Sequence, residues 1–353
     1  MVSIDDAITR VPLDYYLNDP HRGATRHWSD PAAIRRELAG LRVRPGDRVY
    51  DVGTGTGYSS ALLAELVGPS GQVVTIDVSD HLTRCADRLH QQRGIRTVRC
   101  VTGDGLTIRQ QATIFDRVAV WCTPAQLPRV LVEQLAVDGR MVVCLPIAPL
   151  PSLTMITTIT LGPGRNPQVE TAVFGGYAQS TLAQVDDPTT IPGRWVDWSI
   201  PGPQPSWIAI GWRDQDDLQH TGARTTLERL LEPGHRERYP LQPLDWRSLT
   251  AHLAATGDPQ LSVITARGQD RGIGHSTPES AAAILDDGTL IADRPDSPSL
   301  ATLRTWLTSW ENAARPGPDR YTTTLTPTGD HQPSGWDLRL HAKNTDTCHA
   351  APR

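Results

Sequence analysis

Val49-Tyr50-Asp51-Val52-Gly53-Thr54-Gly55-Thr56-Gly57-Tyr58 reads as a short apolar strand running into a glycine-rich turn, with a helix starting behind it. Glycines let the backbone approach a ligand closely, and a helix N-terminus offers unpaired N–H groups. Asp77 ends the next strand, 20 residues after Gly57, where an acid suits ribose hydroxyls. The spacing is GxGxG, not the GxGxxG of dinucleotide folds, which disfavours a nicotinamide-dependent reductase. Asp51 sits two residues before the first glycine. An acid there can face an amino group but repels a pyrophosphate. S-adenosylmethionine carries the amino group and lacks the pyrophosphate. Gly103-Asp104-Gly105 follows the third strand, and its carboxylate can accept from an adenine amino group. The three elements in phase point to S-adenosyl-L-methionine as cofactor, with S-adenosyl-L-homocysteine as its product.

Outward from this turn, strands and helices alternate. Strands are expected at Arg48–Val52, Gln72–Asp77, Thr97–Thr102, Phe115–Cys122 and Arg140–Leu145. Helices are expected at Pro31–Leu41, Tyr58–Leu66, His81–Arg93 and Leu127–Leu135. This alternation means βαβ units, a parallel sheet and right-handed connections. Thr154–Leu161 and Val169–Phe174 are rich in β-branched residues and flank a Gly-Pro-Gly turn, so they read as an antiparallel pair at the sheet edge. The segments 186–193 and 201–205 are breaker-rich and mark a boundary. Beyond it, Ser299 is expected to cap a helix whose stripe is Leu300, Leu303, Trp306, Leu307 and Trp310. Gly274 to Pro278 reads as a loop, and Gly335–Leu340 as a final strand. The expected organisation is a cofactor-binding domain over 1–185, with a substrate-side segment 1–30 and a core 31–160. A C-terminal α+β extension over 186–345 and a polar tail over 346–353 complete it.

The chain has 353 residues, more than one such domain needs, and a formal net charge of -5. That balance argues against a nucleic-acid or anionic-membrane surface, both of which need a basic excess. No apolar run approaches the length of a membrane span, and MVSIDDAITR is too acidic for a signal peptide, so a cytoplasmic protein is expected. The five cysteines are odd in number and show no CxxC spacing, so neither a zinc site nor a disulfide framework is expected. Cys85, Cys100, Cys122 and Cys144 read as small buried residues. There are ten Trp and two Phe, and eight of the Trp follow residue 190. Two regions with different core chemistry account for that split.

The stretches DVGTGTGYSSALLAEL, TIDVSDHL, VTGDGL and FDRVAVWCTPAQLPRVLVEQLAVDGRMVV resemble the protein-L-isoaspartate (D-aspartate) O-methyltransferase family over residues 11–160. The resemblance implies a Rossmann-like class I S-adenosylmethionine-dependent methyltransferase sheet. The family usually has Glu where this chain has Asp77. Its Thr-Ile-Ser-Gln-Pro segment, which meets cofactor and substrate carboxylate, matches His27-Trp28-Ser29-Asp30-Pro31, with Ser29 and Pro31 kept. The family's Tyr-x-Asp stretch is matched only loosely by Tyr16-Leu17-Asn18. The substrate side has diverged more than the cofactor side.

That divergence and the long extension also resemble a subgroup of actinobacterial homologues encoded beside ribosomally made peptides, such as lanthipeptides, lasso peptides and graspetides. The resemblance implies methylation of an Asp side chain in a constrained peptide, the ester then collapsing to a succinimide (aspartimide) or to isoaspartate. The partner would be that peptide, with oligomeric state left open.

On this reading Ser29 is catalytic and orients the acceptor carboxylate, a role compatible with its also capping the helix behind it. Trp28, Ser29, Asp51, Gly53, Thr54, Gly55, Thr56, Gly57, Tyr58, Asp77, Val78, Gly103, Asp104, Gly105 and Trp121 would hold the cofactor. Tyr16, His27 and Asp30 would meet the substrate, as would Trp195, Trp198, Trp207 and Trp212 of the extension. No general base is needed, because an Asp carboxylate of pKa about 3.9 is already a nucleophile at neutral pH. Orientation alone can supply roughly 7–11 kcal/mol. General repair of isoaspartate in damaged proteins, and a non-catalytic peptide-binding module, are the competing readings.

Overall fold

The computed structural model describes residues 2–22, 30–107, 114–177, 195–213, 222–241, 243–268, 270–329 and 334–343. His27, Trp28 and Ser29, the 186–193 boundary and Cys348 fall outside these residues. The chain divides into two compact units, one formed by 1–146, 155–188 and 325–338 and the other by 147–154, 189–324 and 339–353.

The first unit starts with α1 (Ile4–Arg10), α2 (Leu13–Leu17) and α3 (Pro31–Leu41). Next come β1 (Arg48–Val52), α4 (Tyr58–Val67), β2 (Gln72–Asp77), α5 (Asp80–Gln92), β3 (Val98–Thr102) and β4 (Phe115–Val120). Then β5 (Leu127–Pro128), α6 (Arg129–Gln134), β6 (Leu135–Pro146), β7 (Thr154–Leu161) and β8 (Pro167–Phe174) follow. The main sheet has the order β3-β2-β1-β4-β6-β7-β8. β1 pairs in parallel with β2 and with β4, β2 with β3, and β4 with β6. The order reverses between β1 and β4, the switch point where ligands of such sheets bind.

β1 is buried along Val49–Val52, and α4 is buried on nearly every side, so both read as apolar runs rather than alternating ones. β7 and β8 form the expected antiparallel edge pair, turning at Gly162–Gly164. The core packs Val49, Val73 and Ala119 of the sheet against Leu62, Leu63 and Leu66 of α4 and Ile34, Leu38 and Leu41 of α3.

The expected helix over 127–135 is shorter. Leu127 and Pro128 are a strand pairing antiparallel with Trp336 and Gly335, and helix spans only Arg129–Gln134. Pro128 lacks an N–H and suits a helix entry, while Leu135 already belongs to the twelve-residue β6.

The second unit holds β9 (Trp198–Ile200), β10 (Ser206–Ile210), α7 (Ala223–Leu231), β11 (His235–Arg238), α8 (Trp246–Ala255) and β12 (Leu261–Ala266). It continues with β13 (Asp270–Ser276), β14 (Ala281–Leu285), β15 (Thr289–Ala292) and α9 (Pro298–Asn312). β16 (Tyr321–Thr328) and β17 (Gly335–Ala342) close the described chain. Its sheet runs β11-β15-β14-β13-β12-β10-β9, with antiparallel pairing throughout. α7 covers one face through Leu227 and Leu230, which pack with Ile208, Ile210 and Ile264.

The α9 stripe is buried as expected, but its cap is Ser297, whose Oγ accepts from the Leu300 N–H at 3.4 Å, with Pro298 at the first helical position. Ser299 is buried within the first turn. The Gly274–Pro278 loop is also corrected, because Gly274–Ser276 close strand β13. Cys85 and Cys144 are buried and Cys100 and Cys122 half-buried, none of them in a disulfide. Among the described residues no helix is long and apolar enough to cross a membrane.

Candidate active site

The loop after β1 holds the glycine turn. Gly53, Gly55 and Gly57 take φ of +96°, +52° and +85°, a region where side chains are strained. Gly53 and Thr54 donate their N–H groups back to the Ile76 carbonyl at 2.8 and 3.2 Å, which folds the turn over the end of β2. A Cβ on Gly57 would stand 2.9 Å from Cβ of Ala86, and one on Gly105 would stand 2.6 Å from Cγ2 of Ile76. Close packing therefore demands both glycines. α4 begins at once behind Gly57, so its first N–H groups face the turn.

Asp77 sits at the end of β2, half-buried. Its Oδ2 accepts from the Gly55 N–H at 3.0 Å and its Oδ1 from the Ser79 N–H at 3.0 Å. One backbone donor on each oxygen fixes the carboxylate and leaves further lone pairs for hydroxyl donors. Gly103 donates its N–H to the Asp77 carbonyl at 2.8 Å, which brings the loop after β3 alongside. There Asp104 is held by the Leu106 N–H at 2.9 Å and the Thr107 hydroxyl at 3.0 Å. Val78 is half-buried between these two loops in sequence. Asp77, Asp104 and the turn are thus brought together.

Asp51 is not part of that lining. The sequence expectation had its carboxylate facing an amino group. The structure buries it completely beneath the turn. Its Oδ1 accepts from Trp121 Nε1 at 2.6 Å, and its Oδ2 from the Thr75 hydroxyl at 2.7 Å and the Ser59 hydroxyl at 3.4 Å. Burial pushes its pKa up to about 6, against the pull of those three hydrogen bonds. Thr54 is buried on the same network, its hydroxyl 2.8 Å from that of Thr75. The Thr56 hydroxyl accepts from the Tyr58 N–H at 3.3 Å. Trp121 lies just past β4, half-buried, with its Cβ 3.4 Å from where a Gly53 Cβ would stand.

Behind Gly57 lies a second buried line. His90 Nε2 is 3.0 Å from the Ser60 hydroxyl, which donates to the Gly57 carbonyl at 2.9 Å. His90 Nδ1 is 3.4 Å from the Tyr16 hydroxyl. Burial lowers the His90 pKa to about 4. Tyr16, expected to meet substrate, is fully buried and packs its ring on Tyr58 and His90. It supports the turn from inside. Asp30, another expected substrate contact, is the N-cap of α3, its Oδ1 accepting from the Ala32 N–H at 2.9 Å. That helix therefore does not need Ser29 as its cap.

The four Trp expected at a peptide groove are held within the second unit. Trp207 is buried in β10. Trp198 lies under the Arg224 guanidinium, 5.5 Å from its ring centroid. Trp212 donates to the Ser276 hydroxyl at 2.9 Å. Trp195 takes φ +65°, and its carbonyl accepts from Arg213, whose guanidinium also pairs with the buried Asp197.

Sequence reasoning missed Thr75, Ser59, Ser79 and His90. Thr75 and Ser59 carried the signal of a polar residue inside an otherwise apolar strand or helix. Glu37 and Tyr177 gave no comparable sign. Among the described residues no group of three or more His, Cys, Asp or Glu is placed to hold a metal ion.

The family model for protein-L-isoaspartate(D-aspartate) O-methyltransferase matches residues 10–158. The protein-L-isoaspartate O-methyltransferase of Gloeobacter violaceus is 33% identical over 169 residues, 45% of this chain and 80% of that protein. The chain belongs to this family. That of Aeropyrum pernix is 36% identical over 43% of this chain and 63% of its own length. A Plasmodium falciparum structure of the same name, in complex with S-adenosyl-L-homocysteine, aligns over 49% of this chain and 88% of its own. Its identity is 17% and its TM-score 0.42. As a member, the chain is an S-adenosyl-L-methionine-dependent carboxyl methyltransferase.

The residues present fit that cofactor. The glycine turn leaves no side chain in the way, and two half-buried carboxylates stand at adjacent strand ends. The acid that would sit closest to the turn is withdrawn beneath it.

Proposed function

We propose that this methyltransferase acts on an aspartate side-chain carboxylate of a ribosomally synthesised, constrained peptide, and that the ester then collapses to a succinimide or isoaspartate. One contrast carries the reading. The cofactor-side elements keep the family pattern, whereas the stretch Tyr16–Pro31 departs from it, and a second unit follows that the family model does not cover.

S-adenosyl-L-methionine supplies an electrophilic methyl group when bound. Asp77, Asp104 and the Gly53–Gly57 turn would hold it, with Trp121 as a flanking wall. Ser29 would orient the acceptor carboxylate by donating a hydrogen bond to one oxygen while the other attacks. The attacking oxygen of the acceptor carboxylate held by Ser29 would take the methyl carbon, and the bound cofactor would supply the leaving group, the carbon–sulfur electron pair going to its sulfur. No proton moves, so no general base is required. In the peptide, the backbone nitrogen of the next residue then attacks the ester carbonyl and loses its proton, and methanol leaves with it. At the succinimide the net change is the loss of one water, and hydrolytic opening to isoaspartate adds that water back.

General isoaspartate repair is the second reading, favoured by the names of the relatives at 33–36% identity. The test offers the purified chain and cofactor to two acceptors, an Asp-containing macrocyclic peptide of ribosomal origin and a short isoaspartyl peptide. Methyl gain followed by net loss of water on the first, with little turnover of the second, is expected. Efficient methylation of the isoaspartyl peptide alone would transfer the assignment to repair. No transfer to either, with S-adenosyl-L-homocysteine still bound, would leave a binding module.

A further inference from the structure

Glu37 stands in the second turn of α3, and its side chain is 1% exposed. Its neighbours on that helix, Ile34 and Leu38, belong to the apolar core. Glu37 Oε1 accepts from the Tyr177 hydroxyl at 2.6 Å and from Arg36 Nη2 at 2.7 Å. Its Oε2 is buried with no partner among the described residues. Half the acceptor capacity of a buried carboxylate is therefore unused. That costs folding free energy which an apolar side chain of equal volume would not. Stability gives no reason for an acid here.

Its partner supplies one. The Tyr177 ring meets the Trp121 indole edge-on, with centroids 5.8 Å apart and planes at 80°. The Tyr177 carbonyl accepts from the Thr123 hydroxyl at 2.9 Å. The Trp121 Nε1–H donates to Asp51 beneath Gly53. An unbroken line thus runs from α3, the helix that opens just after Ser29 and Asp30, through two aromatic rings to the floor of the glycine turn.

We propose that Glu37 and Tyr177 are a positioning couple for methyl transfer. They set the Trp121 indole and the acceptor-side helix in register with the glycine turn. The proposal rests on the methyltransferase reading of this site. It adds two residues that touch neither the reacting oxygen nor the methyl group and act through Trp121 and α3.

The test uses the full chain. Tyr177→Phe removes only the hydroxyl, Glu37→Met removes the acid at similar volume, and Glu37→Gln keeps an amide oxygen for Tyr177. Tyr177→Phe and Glu37→Met are expected to lower kcat about tenfold to a hundredfold, as small misplacements do. S-adenosyl-L-homocysteine affinity should stay within about threefold by calorimetry, because the couple stands behind the indole and not in the turn. Glu37→Met leaves the Tyr177 hydroxyl without its acceptor, so it is read beside the double variant Glu37→Met/Tyr177→Phe, which replaces the whole pair and should melt at or above the wild-type temperature with kcat still lowered, and Glu37→Gln should keep most of the turnover. A merely structural role would instead lose activity in step with stability. The second readout needs no substrate. In ¹⁵N-labelled protein the Trp121 indole N–H resonance, assigned with Trp121→Phe, should move on Tyr177→Phe. If that resonance stays in place, or kcat stays within twofold in both variants, or kcat falls only as melting temperature falls, the couple is overturned. Inactivity of the wild type toward both peptides would refute the substrate reading instead, and the indole resonance would still decide the couple.

Discussion

Each unit of this protein buries a histidine between two polar side chains, and the two differ in what lies beyond those partners. His90 of the first unit meets Ser60 and Tyr16, and Ser60 passes the line to the carbonyl of Gly57. His275 of the second unit accepts or donates at Ser299 and Gln260, and Ser299 passes it to Ser280. The Trp306 ring closes over His275 at 5.4 Å. The first line ends at a glycine turn with positive φ at Gly53, Gly55 and Gly57 and with the half-buried Asp77 and Asp104 beside it. The second ends on protein on every side. Similar polar burial thus underlies the candidate cofactor turn in one unit and the packing of a helix on a sheet in the other.

The sharpest way to break this comparison is to fill the turn. Gly57→Val places a β-branched residue at φ +85° with Ala86 in its path. Strain of that kind costs about 1–3 kcal/mol before any clash is counted. S-adenosyl-L-homocysteine affinity is expected to drop by more than about a hundredfold, the effect of roughly 3 kcal/mol. Tryptophan fluorescence reports mainly on the second unit, which holds Trp195, Trp198, Trp207, Trp212, Trp246, Trp306 and Trp310. Its thermal transition should stay in place. If ligand affinity survives, the turn is a structural feature like its counterpart.

A smaller effect tests the floor itself. The folded pKa of His90, about 4, lies below its ordinary 6.5. A group depressed in this sense contributes stability in full above 6.5 and loses it as pH falls through 4. The loss reaches roughly 2 kcal/mol by pH 5. Asp51 runs the other way. With its pKa raised to about 6, it favours the fold most below 3.8 and loses that contribution as pH rises through 6. The difference in unfolding free energy between wild type and His90→Gln, followed from pH 7.5 to 5, should therefore shrink as pH falls. A difference independent of pH would mean that His90 is not held neutral.

What the sequence disclosed follows the same divide. Glycines at GxGxG have one main use after a strand, so the turn, the parallel sheet and Asp77 were legible from residue type and spacing. The direction in which Asp51 points was not, because an acid can serve from below a turn as well as from within it, and Thr75 and Trp121 decide which. Tyr16 was read as a surface contact because motif position says nothing of depth. In the second unit, alternating Ser, His and Thr on strands look like loop residues until a helix covers them. Gly274–Ser276 were misread for that reason.

The smallest effect concerns two serines at the start of α9, and it separates capping from network burial. Ser299 was expected to cap this helix, yet Ser297 Oγ accepts the Leu300 N–H, and the Ser299 hydroxyl instead stands 3.0 Å from His275 Nδ1 and 2.6 Å from the Ser280 hydroxyl. Losing an N-cap costs about 1 kcal/mol, and Asp293 Oδ1, which also accepts from the Ser297 hydroxyl at 2.5 Å, keeps the Ala281 N–H at 3.1 Å when that hydroxyl is removed. Losing Ser299 leaves a buried imidazole nitrogen and a buried hydroxyl each short of a partner, at roughly 1–3 kcal/mol. Denaturant unfolding followed by tryptophan fluorescence should therefore show Ser299→Ala to be more destabilising than Ser297→Ala. Burial lowers the His275 pKa, so the imidazole is neutral at pH 7 and has one nitrogen that must accept. Gln260 Oε1, at 2.6 Å from Nε2, takes the ring's only N–H, which leaves Nδ1 dependent on the Ser299 hydroxyl. If the two variants prove equal, or their order reverses, His275 draws no support from Ser299 and the sealed network loses its central link.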